Sequence, residues 1–80
     1  MLMKTKEIGT ISLTGREQEI VGLIWKGLQN RDIAKELRIS QKTVEAHRAS
    51  MMRKLRATNA AQLLKSCFEH GFLRQPRQVI

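Results

Sequence analysis

The chain has 80 residues and a mass of 9.2 kDa, room for one small core and not two, because each half would bury too little apolar surface to hold itself together. Hydrophobic residues at 41% and charged residues at 28%, with five Gly and one Pro, exclude a disordered or collagen-like chain, and the size excludes most enzymes. Fifteen Lys and Arg against seven Asp and Glu leave a net charge of +8, which points to a polyanionic partner, either nucleic acid or an acidic membrane surface.

Residues 1–12 show no helical periodicity and hold Gly9 and two lysines, so they read as a flexible tail or linker remnant before a folded domain at 13–73. Thr14 followed by Glu17 forms a capping box and starts a helix. Ile20, Val21, Leu23, Ile24, Trp25 and Leu28 then fall on a broad apolar arc, with Trp25 read as core, and Gly27 lies where the helix should end. Asn30 reads as the N-cap of a short second helix that turns Ile33, Ala34 and Leu37 inward. The pattern breaks at 37–40 and Ser40 caps a third helix over 41–55, so the two helices and their tight turn have a helix-turn-helix outline. Asn59 and Gln62 make a second capping box, opening a fourth helix that reaches about His70, where Gly71 stops it. Residues 74–80, with Pro76, read as a basic tail. No segment alternates with period two, and the fold class is all-α with four helices.

The third helix carries the chemistry. With side chains about 100° apart, Val44, Met51 and Leu55 form an apolar stripe with His47 at its edge. Lys42, Glu45, Ala46, Ala49, Arg53 and Arg56 occupy the opposite arc. A charged arc is often no more than a solvated face. Here, however, residues 41–56 hold half of the net charge and follow a short helix and a turn. Two alanines at the centre let such a helix approach the floor of a DNA major groove. Glu45 can accept from a cytosine amino group, Lys42 can donate to guanine, and Ala46 or Ala49 can touch a thymine methyl. Thr43, Arg48, Arg53, Lys54 and Arg56 flank the arc within reach of phosphates, and the start of the second helix at Arg31 offers backbone N–H groups.

Three runs have a familiar pattern: Leu13-Thr14-Gly15-Arg16-Glu17-Gln18-Glu19-Ile20, Asn30-Arg31-Asp32-Ile33-Ala34-Lys35-Glu36-Leu37, and Ile39-Ser40-Gln41-Lys42-Thr43-Val44-Glu45-Ala46-His47-Arg48. With Met52-Arg53-Lys54-Leu55 and the segment 59–73, they resemble the LuxR-type helix-turn-helix family, in its FixJ-like branch more than its NarL-like one, over residues 13–73. The resemblance implies a four-helix, sequence-specific double-stranded DNA-binding domain of a bacterial transcription regulator, a non-enzymatic output module usually joined to a receiver or sensor domain. It implies base contacts from Gln41, Lys42, Glu45, Ala46 and Ala49 and backbone contacts from Thr43, Arg48 and Lys54. Relatives often have Gly where Arg38 stands in the turn; if that position is left-handed, Arg there costs about 1–2 kcal/mol.

In the fourth helix Ala60, Ala61, Leu63, Leu64, Cys67 and Phe68 span more of the circumference than one core face needs. Ala60, Leu63 and Cys67 are assigned inward, and Ala61, Leu64, Lys65 and Phe68 to a self-complementary dimer patch; the residues alone fit equally a helix whose apolar side chains are all core, and the resemblance favours the dimer patch. A homodimer on DNA would place two recognition helices about one helical turn apart.

The remaining signals are bland. His47, Cys67 and His70 are too few ligands for a structural metal, no nucleophile signature surrounds the serines, and the scattered glycines match no phosphate-binding loop, so neither cofactor nor metal is expected. One cysteine fits a reducing compartment, and no membrane-length apolar run or signal segment is present, so a cytoplasmic protein without a membrane partner is expected. The rival reading is a protein-interaction module whose basic helix docks an acidic partner such as RNA polymerase or a receiver domain.

Overall fold

The structure is a computed structural model that describes residues 12–73, so the expectations for residues 1–11 and 74–80 lie outside the described part. Among the described residues four helices are present: α1 (Gly15–Trp25), α2 (Asn30–Leu37), α3 (Gln41–Leu55) and α4 (Ala60–Glu69). Helix α3 packs against each of the other three. Its stripe of Val44, Met51 and Leu55 meets Ile20, Val21 and Ile24 of α1, Ile33 and Ala34 of α2, and Leu63 and Cys67 of α4 in one cluster. Leu13 and Leu73 add to that cluster from the two ends of the described chain. Burial of this stripe fixes the rotation of α3 about its own axis, and therefore which of its side chains meet water.

The helix starts follow the local chemistry. Thr14 lies in extended backbone, its Oγ1 accepts from the Glu17 amide at 3.1 Å, and Glu17 Oε1 accepts from the Thr14 amide at 3.0 Å, which completes the capping box. Ser40 Oγ accepts from the Thr43 amide at 3.0 Å. At α4, Asn59 Oδ1 accepts from the Gln62 amide at 2.8 Å, but the reciprocal half of the expected box is not made. Gln62 Oε1 turns instead to the amide and hydroxyl of Thr58, both at 2.8 Å, because the hydroxyl offers a second donor one residue upstream. A second correction concerns Asn30. Gln29 holds the extended cap position, without a side-chain bond, and Asn30 is already helical. Its Oδ1 accepts from Arg48 Nη1 at 2.9 Å, so the side chain is spent on α3 rather than on its own helix.

All four helices end in the same way. In each, one residue enters the left-handed region and the next amide reaches back five residues: Leu28 to Leu23, Ile39 to Ala34, Ala57 to Met52, and Phe72 to Cys67, at 2.8–3.1 Å. An apolar residue stands at both ends of each of these bonds, and that contact ties the closing turn to the core. Gly27 (φ 95°) and Gly71 (φ 80°) fill the left-handed position at α1 and α4 without steric cost. Arg38 (φ 58°) and Arg56 (φ 52°) fill it at α2 and α3, where a Cβ crowds the following carbonyl.

The first-helix arc proves too generous. Ile20, Val21 and Ile24 are buried, but Trp25 is 40% exposed, against its sequence assignment to the core. Three aliphatic residues already fill the space under α1, and an indole turned one position beyond Ile24 runs out of core to enter.

Replacing Arg38 by Gly should raise the unfolding free energy by about 0.5–1 kcal/mol, the left-handed strain relieved less the extra chain entropy that glycine loses on folding. Urea denaturation with an unchanged slope would measure it, and a loss of stability would show that the Arg38 side chain holds the turn.

Candidate nucleic-acid interface

With Val44, Met51 and Leu55 inward, Gln41, Lys42, Thr43, Glu45, Ala46, Ala49, Arg53 and Arg56 are all exposed, and Arg48 is half-buried at the edge. The small side chains of Ala46 and Ala49 lie in the middle of this face, with longer polar ones around them. Among the described residues the ion pairs are Arg16–Glu19, Lys54–Glu17 and Lys65–Glu69, so Arg31, Lys42, Glu45, Arg53 and Arg56 enter none of them. Among the described residues no acid pairs with the basic residues of this face.

Two helix N-termini border the same region. Gln29, Asn30 and Arg31 at the start of α2 and Gln41 at the start of α3 line an open hollow of about 420 Å³. The first amides of α2 have no side-chain acceptor, since Gln29 makes no cap bond, and the first turn of α3 has no acidic residue. The α3 end therefore presents partial positive charge, whereas at α2 Asp32 stands in the first turn and offsets it. The Arg48–Asn30 bond fastens the middle of α3 to the first residue of α2 and holds these two ends in register.

Lys54 is placed differently from its neighbours. Its Nζ donates to Glu17 Oε1 at 2.7 Å and to the Ser12 carbonyl at 3.3 Å, which binds the C-terminal half of α3 to the cap of α1. The Glu17 side chain is 4% exposed and that of Lys54 35%. Burial pushes the Glu17 carboxyl up, but the Lys54 ammonium and the Thr14 amide outweigh it and hold the group below its ordinary value of 4.5. Sequence reasoning read Glu17 only as a cap and Lys54 only as a phosphate contact. The signal that joins them, one acid on an otherwise inward face of α1, is weak without coordinates.

Among the described residues no three His, Cys, Asp or Glu side chains come together where they could hold a metal ion. Cys67 is fully buried in α4, its thiol pushed up to about 11 by burial alone. His70 Nδ1 lies 2.9 Å from the Ser66 carbonyl with its ring stacked on Phe72, and His47 is half-buried on α3. On α4, Ala61, Lys65 and Phe68 are exposed and Leu64 half-buried, while Leu63 and Cys67 point into the core and Ala60 is half-buried. No helix among the described residues is long and apolar enough to cross a membrane.

Comparison with known proteins places this geometry. The family model described as bacterial regulatory proteins, luxR family, matches residues 11–66. The chain is 40% identical over 67 residues to the transcriptional regulatory protein MctR of Rhizobium johnstonii, covering 84% of this chain and 31% of that protein. It thus spans less than half the length of the curated relatives it matches. Among solved structures, the transcription factor GerE superposes with a TM-score of 0.75 at 35% identity, covering 78% of this chain and 92% of GerE. The Vibrio cholera VqmA–ligand–DNA complex superposes with a TM-score of 0.71 at 36% identity, covering 79% of this chain and 28% of VqmA.

The Glu17–Lys54 pair should show in acid. A carboxyl held below its unfolded value stabilises the fold above that value, and the stabilisation disappears as pH falls through the folded one. Lys54→Gln leaves a buried carboxylate without its countercharge, so it should cost about 1–3 kcal/mol at neutral pH and move the acid unfolding midpoint to higher pH. An acid titration followed by circular dichroism that overlays the parent would remove the pair from the stability of the fold.

Proposed function

The chain belongs to the luxR family of bacterial regulatory proteins and is a DNA-binding transcription regulator domain, and from that premise we propose how it reads DNA: α3 lies in the major groove. The observation that carries this reading is the exposed face of α3, with alanines at its centre, one acid and one lysine beside them, and cations at its margins. Gln41, Lys42, Glu45, Ala46 and Ala49 then face base edges, and Arg31, Thr43, Arg48, Arg53 and Arg56 face phosphates. Lys54 joins that second set with its charge already offset by Glu17, so it contributes least. The α2 N-terminus supplies backbone N–H groups to a phosphate beside Arg31. Two copies associate through α4, by way of Ala61, Leu64, Lys65 and Phe68, and bind two half-sites.

Selection from a random duplex pool tests the reading directly. Recovered sites should be paired, with centres about one helical turn apart. Recovery of no preferred sequence, with capture of RNA polymerase or an isolated receiver domain instead, would favour a protein-docking role. On the selected site, Glu45→Ala should relax the preference at one base pair and cost about 1–3 kcal/mol there. Arg53→Ala should weaken selected and random duplex alike and lower the slope of log affinity against log salt by about one, as titrations at several salt concentrations would report.

A further inference from the structure

Two cations of α3 are tied to other helices by partners of opposite kind. Lys54 meets the Glu17 carboxylate, which offsets its charge. Arg48 Nη1 donates at 2.9 Å to Oδ1 of Asn30, a neutral amide, which directs the guanidinium and leaves its charge whole. Among the described residues Arg48 enters no ion pair and makes no other side-chain hydrogen bond, so the rest of its N–H fork stays open. The pair lines an open hollow of about 400 Å³ in which Arg48 is the single charged lining residue, and Asn30 also lines the neighbouring hollow with Arg31 and Gln41. Asn30 therefore stands where the starts of α2 and α3 meet the middle of α3.

We infer that Asn30 is a positioning residue for DNA binding: it acts through Arg48, whose guanidinium it aims at a backbone phosphate before the duplex arrives. The inference rests on the proposed docking of α3 and adds to it a residue outside every contact assigned there. An arginine loose on the surface loses side-chain freedom when a ligand orders it, and that loss subtracts from affinity. Here the bond across to α2 orders the side chain in the free domain. Arginine has donors only, so the Asn30 oxygen must face it and the amide NH2 must face away; no flipped amide keeps the bond. A planar fork with one edge held and the rest free suits a phosphate, which accepts from two N–H groups at once. The absence of any acid from the lining of that hollow leaves such a phosphate unopposed.

Titration of the full 80-residue chain with a random-sequence DNA duplex at several salt concentrations tests this, with circular dichroism showing that each variant is folded. Asn30→Ala should weaken binding about three- to tenfold and leave the slope of log affinity against log salt unchanged, because Arg48 keeps its charge and still reaches the phosphate once ordered. Asn30→Ser, too short to reach Arg48 yet suited to a helix start, should repeat that result. Arg48→Ala should weaken binding at least as much and lower the slope by about one. The double variant should lose no more than Arg48→Ala alone. Losses that add would mean that Asn30 meets the duplex on its own account, and would overturn the inference. Equal losses with both slopes unchanged would overturn it too, since the bond would then only fasten α3 to α2. If Arg53→Ala lowers the slope and Arg48→Ala does not, the docking of α3 stands and the role of Asn30 is overturned. If neither lowers it, both are overturned.

Discussion

The rotational setting of α3 decides almost everything this domain can do. One helix supplies Val44, Met51 and Leu55 to a core shared by all four helices and presents its opposite side to whatever lies outside. A side chain every 100° or so leaves no freedom between the two faces: burying the stripe puts Ala46 and Ala49 outward, and no other rotation buries it. The Arg48–Asn30 bond and the Lys54–Glu17 pair act at the middle and the C-terminal end of the same helix, so α3 is fastened to α2 and α1 by polar contacts as well as by packing. For a core of this size such cross-links matter, because each fixes geometry that a few apolar contacts alone would leave loose.

Much of this was legible without coordinates. The boundaries of α3, its buried stripe and its exposed arc follow from periodicity and from the Ser40 cap, since 15 residues at helical spacing leave little ambiguity. The stops at Gly27 and Gly71 were legible because glycine in that place has one common structural meaning. What failed were choices among near-equivalent local partners. Asn30 and Gln29 stand one residue apart, and only a tertiary contact with Arg48 decides which becomes the cap. Gln62 chose between Asn59 and Thr58 on the strength of one hydroxyl. Trp25 failed for another reason. Hydrophobicity reports a preference for burial but not the volume available, and α1 had more apolar side chains than the core had room to accept.

The two left-handed arginines show how such a turn can be kept without a glycine. At both positions the backward hydrogen bonds and the apolar contact are intact, so the motif is secured by residues on either side of the strained one. A cost of about 1 kcal/mol is tolerable when Ile39 and Ala57 anchor the exit of the chain. Both side chains also stand at helix C-termini, where a cation meets the negative end of the dipole and recovers part of that cost.

Glu45 supports the proposed base-reading role of the α3 face over the alternatives. It is the single acid among residues 41–56, exposed and outside every ion pair of the described residues. For a surface that only gathers phosphates, or only docks an acidic protein, a carboxylate at this place repels the partner, and an alanine or lysine would bind better while favouring the helix at least as well. It has no structural task to offset that repulsion, since neither the α3 cap nor the core uses it. An acid is an asset there only if it accepts from a donor that some partners present and others lack, and the cytosine amino group in a major groove is such a donor. In the proposed docking the penalty against bulk negative charge would become part of the selectivity, because it would weaken binding to every sequence that cannot supply the bond.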